Sequence, residues 1–264
     1  MTSITARFND LKKRGQKGLV AYLTAGDPSP ARTASLVLAL ERGGADVIEL
    51  GVPFSDPIAD GPVIQRASER ALAAGMTLPR TLEVAAEIRK QSDIPIVLFT
   101  YLNPVLRYGF EALAQAAKNS GVDGVLLIDL SVEEADRHLG ALREQKLDTV
   151  FLAAPTSSDR RLELVAKYSS GFVYLVSRAG VTGERDTLSA QARPLVERMR
   201  KLTALPLALG FGISTPQQAA ETAQLADAVV VGSAFVRLIE QHGKGGDLEE
   251  RLEAFTRSLK DGMR

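Results

Sequence analysis

The 264-residue chain contains no cysteine and only two histidines, His138 and His242. Without cysteine, the chain can form no disulfide, offers no thiolate nucleophile and has no zinc-finger spacing. Neither histidine has a carboxylate partner at a spacing typical of metal ligands, so we expect no metal site. The sequence therefore favours chemistry that needs neither a metal nor an activated sulfur.

An excess of charge of one sign and long apolar runs are also missing. The formal net charge is zero, with 32 basic and 32 acidic residues, and no basic stripe carries interleaved aromatic residues, which argues against a nucleic-acid partner. No apolar run approaches the roughly 20 residues that span a bilayer. The polar N-terminal segment lacks the apolar region of a signal peptide. We therefore expect a soluble, cytoplasmic protein that does not bind membranes.

Eight short apolar runs alternate with longer amphipathic segments along the whole chain. The runs predict strands at residues 19–23, 47–50, 96–101, 124–128, 149–153, 172–176, 207–209 and 228–231. The segments between them predict helices at residues 31–42, 63–74, 78–90, 111–119, 133–145, 160–168, 190–201 and 216–224. Strands that are apolar throughout are typical of a parallel sheet that is buried on both faces.

This alternation predicts an α/β fold, a single (β/α)8 TIM barrel over residues 1–264. A doubly wound open sheet is the alternative. Residues 3–14 predict an extra N-terminal helix, and residues 234–241 and 248–260 predict additional helices after the last strand. No low-complexity linker divides the chain, so we expect one domain. In such barrels the active site lies at the C-terminal ends of the strands.

Two acidic residues stand where an active site of this kind would be built. Glu49 lies in an apolar run, and burying an unpaired carboxylate costs several kcal/mol, which indicates a function. Asp60 lies in the loop that follows, where Pro53, Pro57 and Pro62 restrict the backbone. The pair predicts acid/base chemistry. The alternative is that Glu49 caps a strand and that Asp60 caps the helix that starts near Pro62.

Three glycine-rich segments follow the last three predicted strands. They are residues 180–183, 210–214 and 232–234. Glycine lets the backbone approach an anion closely, and the N-terminus of a helix attracts negative charge. Because the loops after strands seven and eight form the usual phosphate site of a TIM barrel, the segments predict a phosphate cradle, with Ser233 as an added donor. The alternative is that the glycines only form tight turns.

No lysine ends a predicted strand, so a Schiff-base nucleophile has no candidate. What remains is acid/base chemistry on a phosphorylated and otherwise apolar substrate. Barrel packing explains most of the candidate apolar lining equally well. The candidates are Tyr22, Phe99, Tyr101, Leu126, Ile128, Leu152, Tyr174 and Phe211.

Residues 49–65, ELGVPFSDPIADGPVIQ, closely resemble the signature of the tryptophan synthase alpha chain family. The segments SRAGVTG at 177–183 and GFGIS at 210–214 match two further motifs of that family. The resemblance implies a (β/α)8 barrel that cleaves indole-3-glycerol phosphate to indole and glyceraldehyde 3-phosphate. It also implies an alpha2beta2 heterotetramer with a beta chain that uses pyridoxal phosphate, so that this chain has no cofactor of its own.

The resemblance assigns roles residue by residue. Its catalytic glutamate and aspartate match Glu49 and Asp60, and its aromatic neighbour matches Tyr174. A mobile loop would carry Arg178 and Thr182. The family's phosphate contacts correspond to Gly183, Gly212, Gly232 and Ser233.

Two positions depart from the family pattern. The chain reads DLS at 129–131, with Ser131 where the family usually has proline, which predicts a less rigid loop. Tyr22 stands where the family commonly has phenylalanine, a change that we expect to alter the polarity of the indole pocket. Two alternatives to the lyase remain: another phosphate-binding barrel enzyme such as a phosphosugar isomerase, and a regulatory subunit with weak activity.

Overall fold

The computed structural model describes residues 2–176, 188–210 and 212–264, with the backbone alone at 188–191. In this part of the chain nine parallel strands form one sheet. The strands are β1 (Gly18–Thr24), β2 (Val47–Gly51), β3 (Ile96–Thr100), β4 (Gly124–Leu127), β5 (Asp148–Val150), β6 (Leu152–Ala153), β7 (Val173–Val176), β8 (Leu207–Gly210) and β9 (Ala228–Val231).

Helices follow the strands and surround the sheet. Those in the described residues are α1 (Ser3–Lys13), α2 (Thr33–Arg42), α3 (Pro62–Ala73), α4 (Leu78–Arg89), α5 (Leu102–Tyr108), α6 (Phe110–Asn119), α7 (Ala135–His138), α8 (Gly140–Glu144), α9 (Asp159–Tyr168), α10 (Leu188–Leu202), α11 (Pro216–Ala223), α12 (Ser233–His242) and α13 (Leu248–Gly262). Within that part of the chain, no helix is long and apolar enough to cross a membrane.

The sheet curls into a barrel. The strand order is β5-β4-β3-β2-β1-β9-β8-β7-β6, so the first strand pairs with the second and with the last. The two end strands are separated in the chain by Phe151 alone, whose carbonyl accepts a hydrogen bond from the N–H of Tyr174 at 3.1 Å. Together β5 and β6 therefore fill one of eight barrel positions. The predicted (β/α)8 barrel is confirmed, and an open doubly wound sheet is excluded.

Side chains alternate along each strand between the barrel interior and the layer that faces the helices. In β2, Val47 packs in the interior cluster, whereas Ile48 and Leu50 pack in the outer layer. Glu49 lies between Ile48 and Leu50, so its side chain points into the barrel. The alternation that builds the core therefore places one carboxyl group in an apolar interior.

Helix α1 closes the N-terminal end of the barrel. Its residues Ile4, Phe8 and Leu11 join the interior cluster. The rings of Phe8 and Phe172 lie 5.8 Å apart between centroids, and Phe8 also packs beside Gly18 at the start of β1. A substrate therefore has to approach from the C-terminal ends of the strands.

Several predicted elements differ from the structure, among them the strand expected at 149–153, which is divided into β5 and β6. The helix expected at 133–145 is divided into a 3-10 turn (Val132–Glu134), α7 and α8, with the second break just before Gly140, a poor helix former. The strand expected at 96–101 ends at Thr100. The helix α5 lies in a segment where no helix was predicted. Its first N–H, at Leu102, donates to the carboxylate of Asp129 at 2.6 Å.

Candidate active site

Glu49 is an almost completely buried acid. It is 1% exposed, and its Oε1 atom has no hydrogen-bond partner in the described part of the chain. The neighbouring strands place Tyr22 and Val97 beside it in register. Burial alone raises the pKa of Glu49 from 4.5 to about 8, because a low-dielectric environment disfavours the charged form. The group is therefore mostly protonated at neutral pH and can act as an acid.

Asp60 lies in the loop between β2 and α3, and its carboxylate is held by Tyr101. The Tyr101 hydroxyl donates to Asp60 Oδ2 at 2.9 Å. Burial raises the pKa of Asp60 to about 6, and the hydrogen bond from Tyr101 opposes that rise. The N-cap of α3 is Gly61, with no side-chain capping bond. The interpretation of Asp60 as the cap of this helix is therefore wrong. With a pKa of about 6, Asp60 is mostly ionised at neutral pH.

Tyr101 has a role that sequence reasoning missed. It was predicted as apolar lining, but its hydroxyl also accepts a hydrogen bond from the N–H of Ala59 at 3.1 Å. Its ring packs on Phe54, with 5.0 Å between centroids. Tyr101 therefore ties the loop of Asp60 to the end of β3. The sequence could have suggested this role, because the hydroxyl of a buried tyrosine usually has a hydrogen-bond partner.

Replacing Tyr101 by phenylalanine is expected to raise the pKa of Asp60. The hydrogen bond that is lost stabilises the charged carboxylate, so its removal favours the protonated form. Activity that requires ionised Asp60 should then decline at a higher pH than in the parent protein. Profiles of kcat/KM against pH measure the shift. If kcat/KM declined at the same acidic pH in both proteins, the claim that the Tyr101 hydroxyl stabilises ionised Asp60 would be contradicted.

Two tyrosines line the interior beside the acids, each next to a glycine. A Cβ atom on Gly51 would lie 2.4 Å from the Tyr22 hydroxyl, and one on Gly210 would lie 2.9 Å from the Tyr174 hydroxyl. Burial raises the pKa of both phenols, and the charges of Glu49 and Asp60 add to the rise. Both tyrosines therefore stay protonated, close to both carboxyl groups.

The remaining predicted lining residues share this interior. The rings of Tyr22 and Phe99 meet edge to face with 5.1 Å between centroids. Leu126 is fully buried in the interior cluster, and Ile128 and Leu152 pack against that cluster. The apolar interior of the barrel therefore borders Glu49, and the partly buried residues that pack against it include Ile128, Leu152 and Tyr174.

The predicted phosphate glycines lie at two neighbouring strand ends. Gly232 follows β9 and is the N-cap of α12, which puts Ser233 in the first turn of that helix. A Cβ atom on Gly232 would lie 3.4 Å from the Cβ of Tyr22. Gly212 follows β8 with φ of +72°, a value that favours glycine, and nothing described lies within 4 Å of its missing side chain. Among the described residues, no side chain therefore covers the backbone at the missing Cβ position of Gly212.

The whole chain matches one family and its members. The model of the family described as "Tryptophan synthase alpha chain" matches residues 8–264. A tryptophan synthase alpha chain from Solibacter usitatus (strain Ellin6076) is 62% identical over 263 residues, covering 100% of this chain and 98% of that relative. One from Geobacter sp. (strain M21) is 50% identical with the same coverage. The chain belongs to the tryptophan synthase alpha chain family.

A solved structure of the same family agrees in fold. The crystal structure of tryptophan synthase subunit alpha from Legionella pneumophila str. Paris superposes with a TM-score of 0.92 at 38% identity, covering 100% of this chain and 98% of that one. Four predicted site residues lie outside the described part of the chain: Arg178, Thr182 and Gly183, which the resemblance implied, and the lining candidate Phe211. Their roles stay predictions.

The serine that departs from the tryptophan synthase alpha chain pattern lies in a small exposed cluster. Ser131 donates to Glu133, and Arg161 donates to Ser131 Oγ at 3.4 Å and to Glu133 Oε2 at 3.3 Å. This cluster ties the loop after β4 to α9. The expectation that this loop is less rigid without proline stays a prediction.

Proposed function

We propose that this chain is a lyase that performs the alpha reaction of tryptophan synthase, with Glu49 as its acid/base group. The reaction cleaves indole-3-glycerol phosphate to indole and glyceraldehyde 3-phosphate. The observation that carries the assignment is the interior carboxyl group of Glu49, whose pKa of about 8 keeps a proton at neutral pH. Membership of the family supplies the reaction, and the geometry supports the assignment of the steps to residues.

Glu49 acts twice in the proposed mechanism. It first donates its proton to the indole carbon that carries the glycerol chain, which leaves a cation on the ring. The resulting carboxylate then removes the proton of the adjacent glycerol hydroxyl as the carbon–carbon bond breaks, and the bonding electrons return to the ring. An aldehyde and indole leave, and Glu49 is protonated again. A pKa near the operating pH suits a group that must both give and take a proton.

Asp60 stabilises the cation in this mechanism. It accepts a hydrogen bond from the indole N–H, and its negative charge offsets the positive charge that develops on the ring. With a pKa of about 6, Asp60 is ionised when Glu49 is still protonated. Two carboxyl groups with separated pKa values can thus divide the roles of charge stabiliser and acid.

The phosphate of the substrate binds at the corner formed by Gly212, Gly232 and Ser233 in this proposal, with Gly183 as a further contact. The N–H groups in the first turn of α12 have no partners within the helix and carry partial positive charge. The Ser233 hydroxyl adds a donor. No lysine or arginine is required, because the dipoles of the backbone favour the anion.

The chain needs no cofactor of its own for these steps, since each is a proton transfer or a charge stabilisation. Pyridoxal phosphate belongs to the beta chain, which condenses indole with serine. We place both chains in the cytoplasm as an alpha2beta2 heterotetramer. A loop that carries Arg178 and Thr182 closes over the bound substrate in this proposal.

The surface proposed to meet the beta chain surrounds the mouth of the barrel. Ile58, in the loop of Asp60, is 87% exposed, and Leu106 of α5 is 54% exposed. Both side chains lie on segments that follow the C-terminal ends of strands β2 and β3, which places them at the same end of the barrel. Because Ile58 lies two residues from Asp60, contact with a beta chain there would act directly on the loop that holds the catalytic aspartate.

The purified chain should be given indole-3-glycerol phosphate, and glyceraldehyde 3-phosphate should be followed with and without a beta chain plus serine. We expect slow turnover alone and a marked rise with the partner, which Ile58→Ser should reduce without changing the rate of the isolated chain. Fast turnover alone would indicate an independent indole producer. Activation of the beta chain without any lyase product would indicate a regulatory subunit. No product and no activation would return the chain to the wider class of phosphate-binding barrels.

A further inference from the structure

An ion network behind the active site joins three parts of the barrel. Arg70 of α3 donates to both carboxylate oxygens of Asp27, at 2.8 Å each. Asp27 follows β1 and is 1% exposed. The third contact of Arg70 is to Glu240 Oε1 of α12, at 2.9 Å. The guanidinium group of Arg70 therefore links α3 to the buried loop after β1 and to α12.

Arg66 provides a second contact between α3 and α12. Arg66, one turn before Arg70 on α3, donates to both oxygens of Glu240, at 2.7 and 2.9 Å. The bonds from Arg66 and Arg70 lower the pKa of Glu240 to about 2, so the charge of Glu240 is present throughout the working pH range. Bidentate arginine–carboxylate pairs fix geometry as well as charge. The relative position of α3 and α12 is therefore set by directional contacts.

The two helices begin at opposite ends of the proposed substrate. Helix α3 starts at Pro62, two residues after Asp60, which is proposed to hold the indole N–H. Helix α12 starts at Ser233, which is proposed to hold the phosphate. Glu240 lies seven residues after Ser233 and hence two turns away on the same face of the helix. Each helix N-terminus is thus joined through its own helix to the ion network.

We infer that the network of Asp27, Arg66, Arg70 and Glu240 couples the phosphate end of the substrate site to Asp60. Its members are positioning residues, because they contact neither reacting atoms nor substrate. This inference rests on the proposed function. In physical terms, an anion at α12 and indole at Asp60 each favour one arrangement of the two helices, so the binding of one ligand strengthens the binding of the other.

The two halves of the substrate can test this coupling separately. Glycerol 3-phosphate represents one half and indole the other. Because the chain contains no tryptophan, indole fluorescence reports binding with no background from tryptophan. In the parent protein we expect saturating glycerol 3-phosphate to tighten indole binding by about 5-fold or more. In Glu240→Gln and Arg70→Lys the ratio should fall below about 2-fold.

Glu253→Gln is the matched control. Glu253 also accepts hydrogen bonds from two arginines, Arg42 and Arg257 at 2.8 Å each, and its side chain is 28% exposed compared with 26% for Glu240. It lies on α13, away from the site, and the control should keep the parent ratio. A ratio retained in Glu240→Gln and Arg70→Lys would overturn the inference and leave the proposed function intact. A parent protein that binds neither ligand would overturn the proposed function itself.

Discussion

Replacing Glu49 by glutamine is expected to lower kcat for cleavage of indole-3-glycerol phosphate by about 10³- to 10⁴-fold. Glutamine has the shape of protonated glutamic acid but neither gives nor takes the proton that the two steps require. Substrate affinity should change little, because Glu49 is mostly neutral in the free protein at pH 7, with a pKa of about 8. Steady-state kinetics and direct binding of the substrate to the variant measure the two quantities.

Asp148→Asn is the matched control for this variant. Asp148 is another buried carboxyl group, 4% exposed, with an Oδ2 atom that has no partner among the described residues. It begins β5 and so lies at the end of the barrel that α1 closes. The control should retain turnover. Turnover by Glu49→Gln close to that of the parent protein would exclude Glu49 as the acid/base group.

Glu49→Gln should also differ from the parent protein in how its free energy of unfolding depends on pH. The pKa of Glu49 is about 8 in the folded protein, compared with 4.5 for an ordinary glutamate. As pH rises from 4.5 towards 8, the unfolded chain ionises while the folded chain keeps its proton, so the parent protein loses free energy of unfolding. Glutamine does not titrate. The stability of Glu49→Gln relative to the parent protein should therefore increase over this range, by on the order of 3–5 kcal/mol in total.

Local patterns were enough to predict the barrel and the position of Glu49. Strand runs of three to six mostly apolar residues separated by helical segments leave a closed parallel barrel and an open doubly wound sheet as the main arrangements. Within β2, the alternation of Val47, Ile48, Glu49 and Leu50 decides which side chains face inward. A single acid among these apolar residues therefore predicts its own burial and with it a raised pKa.

Contacts between distant parts of the chain could not be predicted in this way. Tyr101 reaches Asp60 across 41 positions, and Arg70 reaches Glu240 across 170. Sequence spacing carries no information about such pairs, because they depend on how neighbouring βα units pack. The division of the fifth barrel strand at Phe151 arises similarly, from the change of pairing partner between β4 and β7 as the barrel closes.

Replacing Asp60 by asparagine should reduce kcat on the order of 10²- to 10³-fold, the range seen when one group that stabilises transition-state charge is removed. Asparagine can still accept a hydrogen bond from the indole N–H and from Tyr101, but it carries no negative charge to offset the ring cation. Asp56→Asn is the matched control, because Asp56 lies in the same loop with its side chain exposed. It should leave the turnover of the isolated chain unchanged.

The pH dependence shows whether activity requires the ionised carboxylate of Asp60. With Asp60 at about 6 and Glu49 at about 8, kcat/KM of the parent protein should rise as Asp60 ionises and fall as Glu49 loses its proton. Asp60→Asn should keep the limb near 8 and lose the limb near 6, because asparagine has no carboxyl group to titrate. Because Gly61 and not Asp60 caps α3, a parent-like profile in Asp60→Asn would mean that another group stabilises the indole cation.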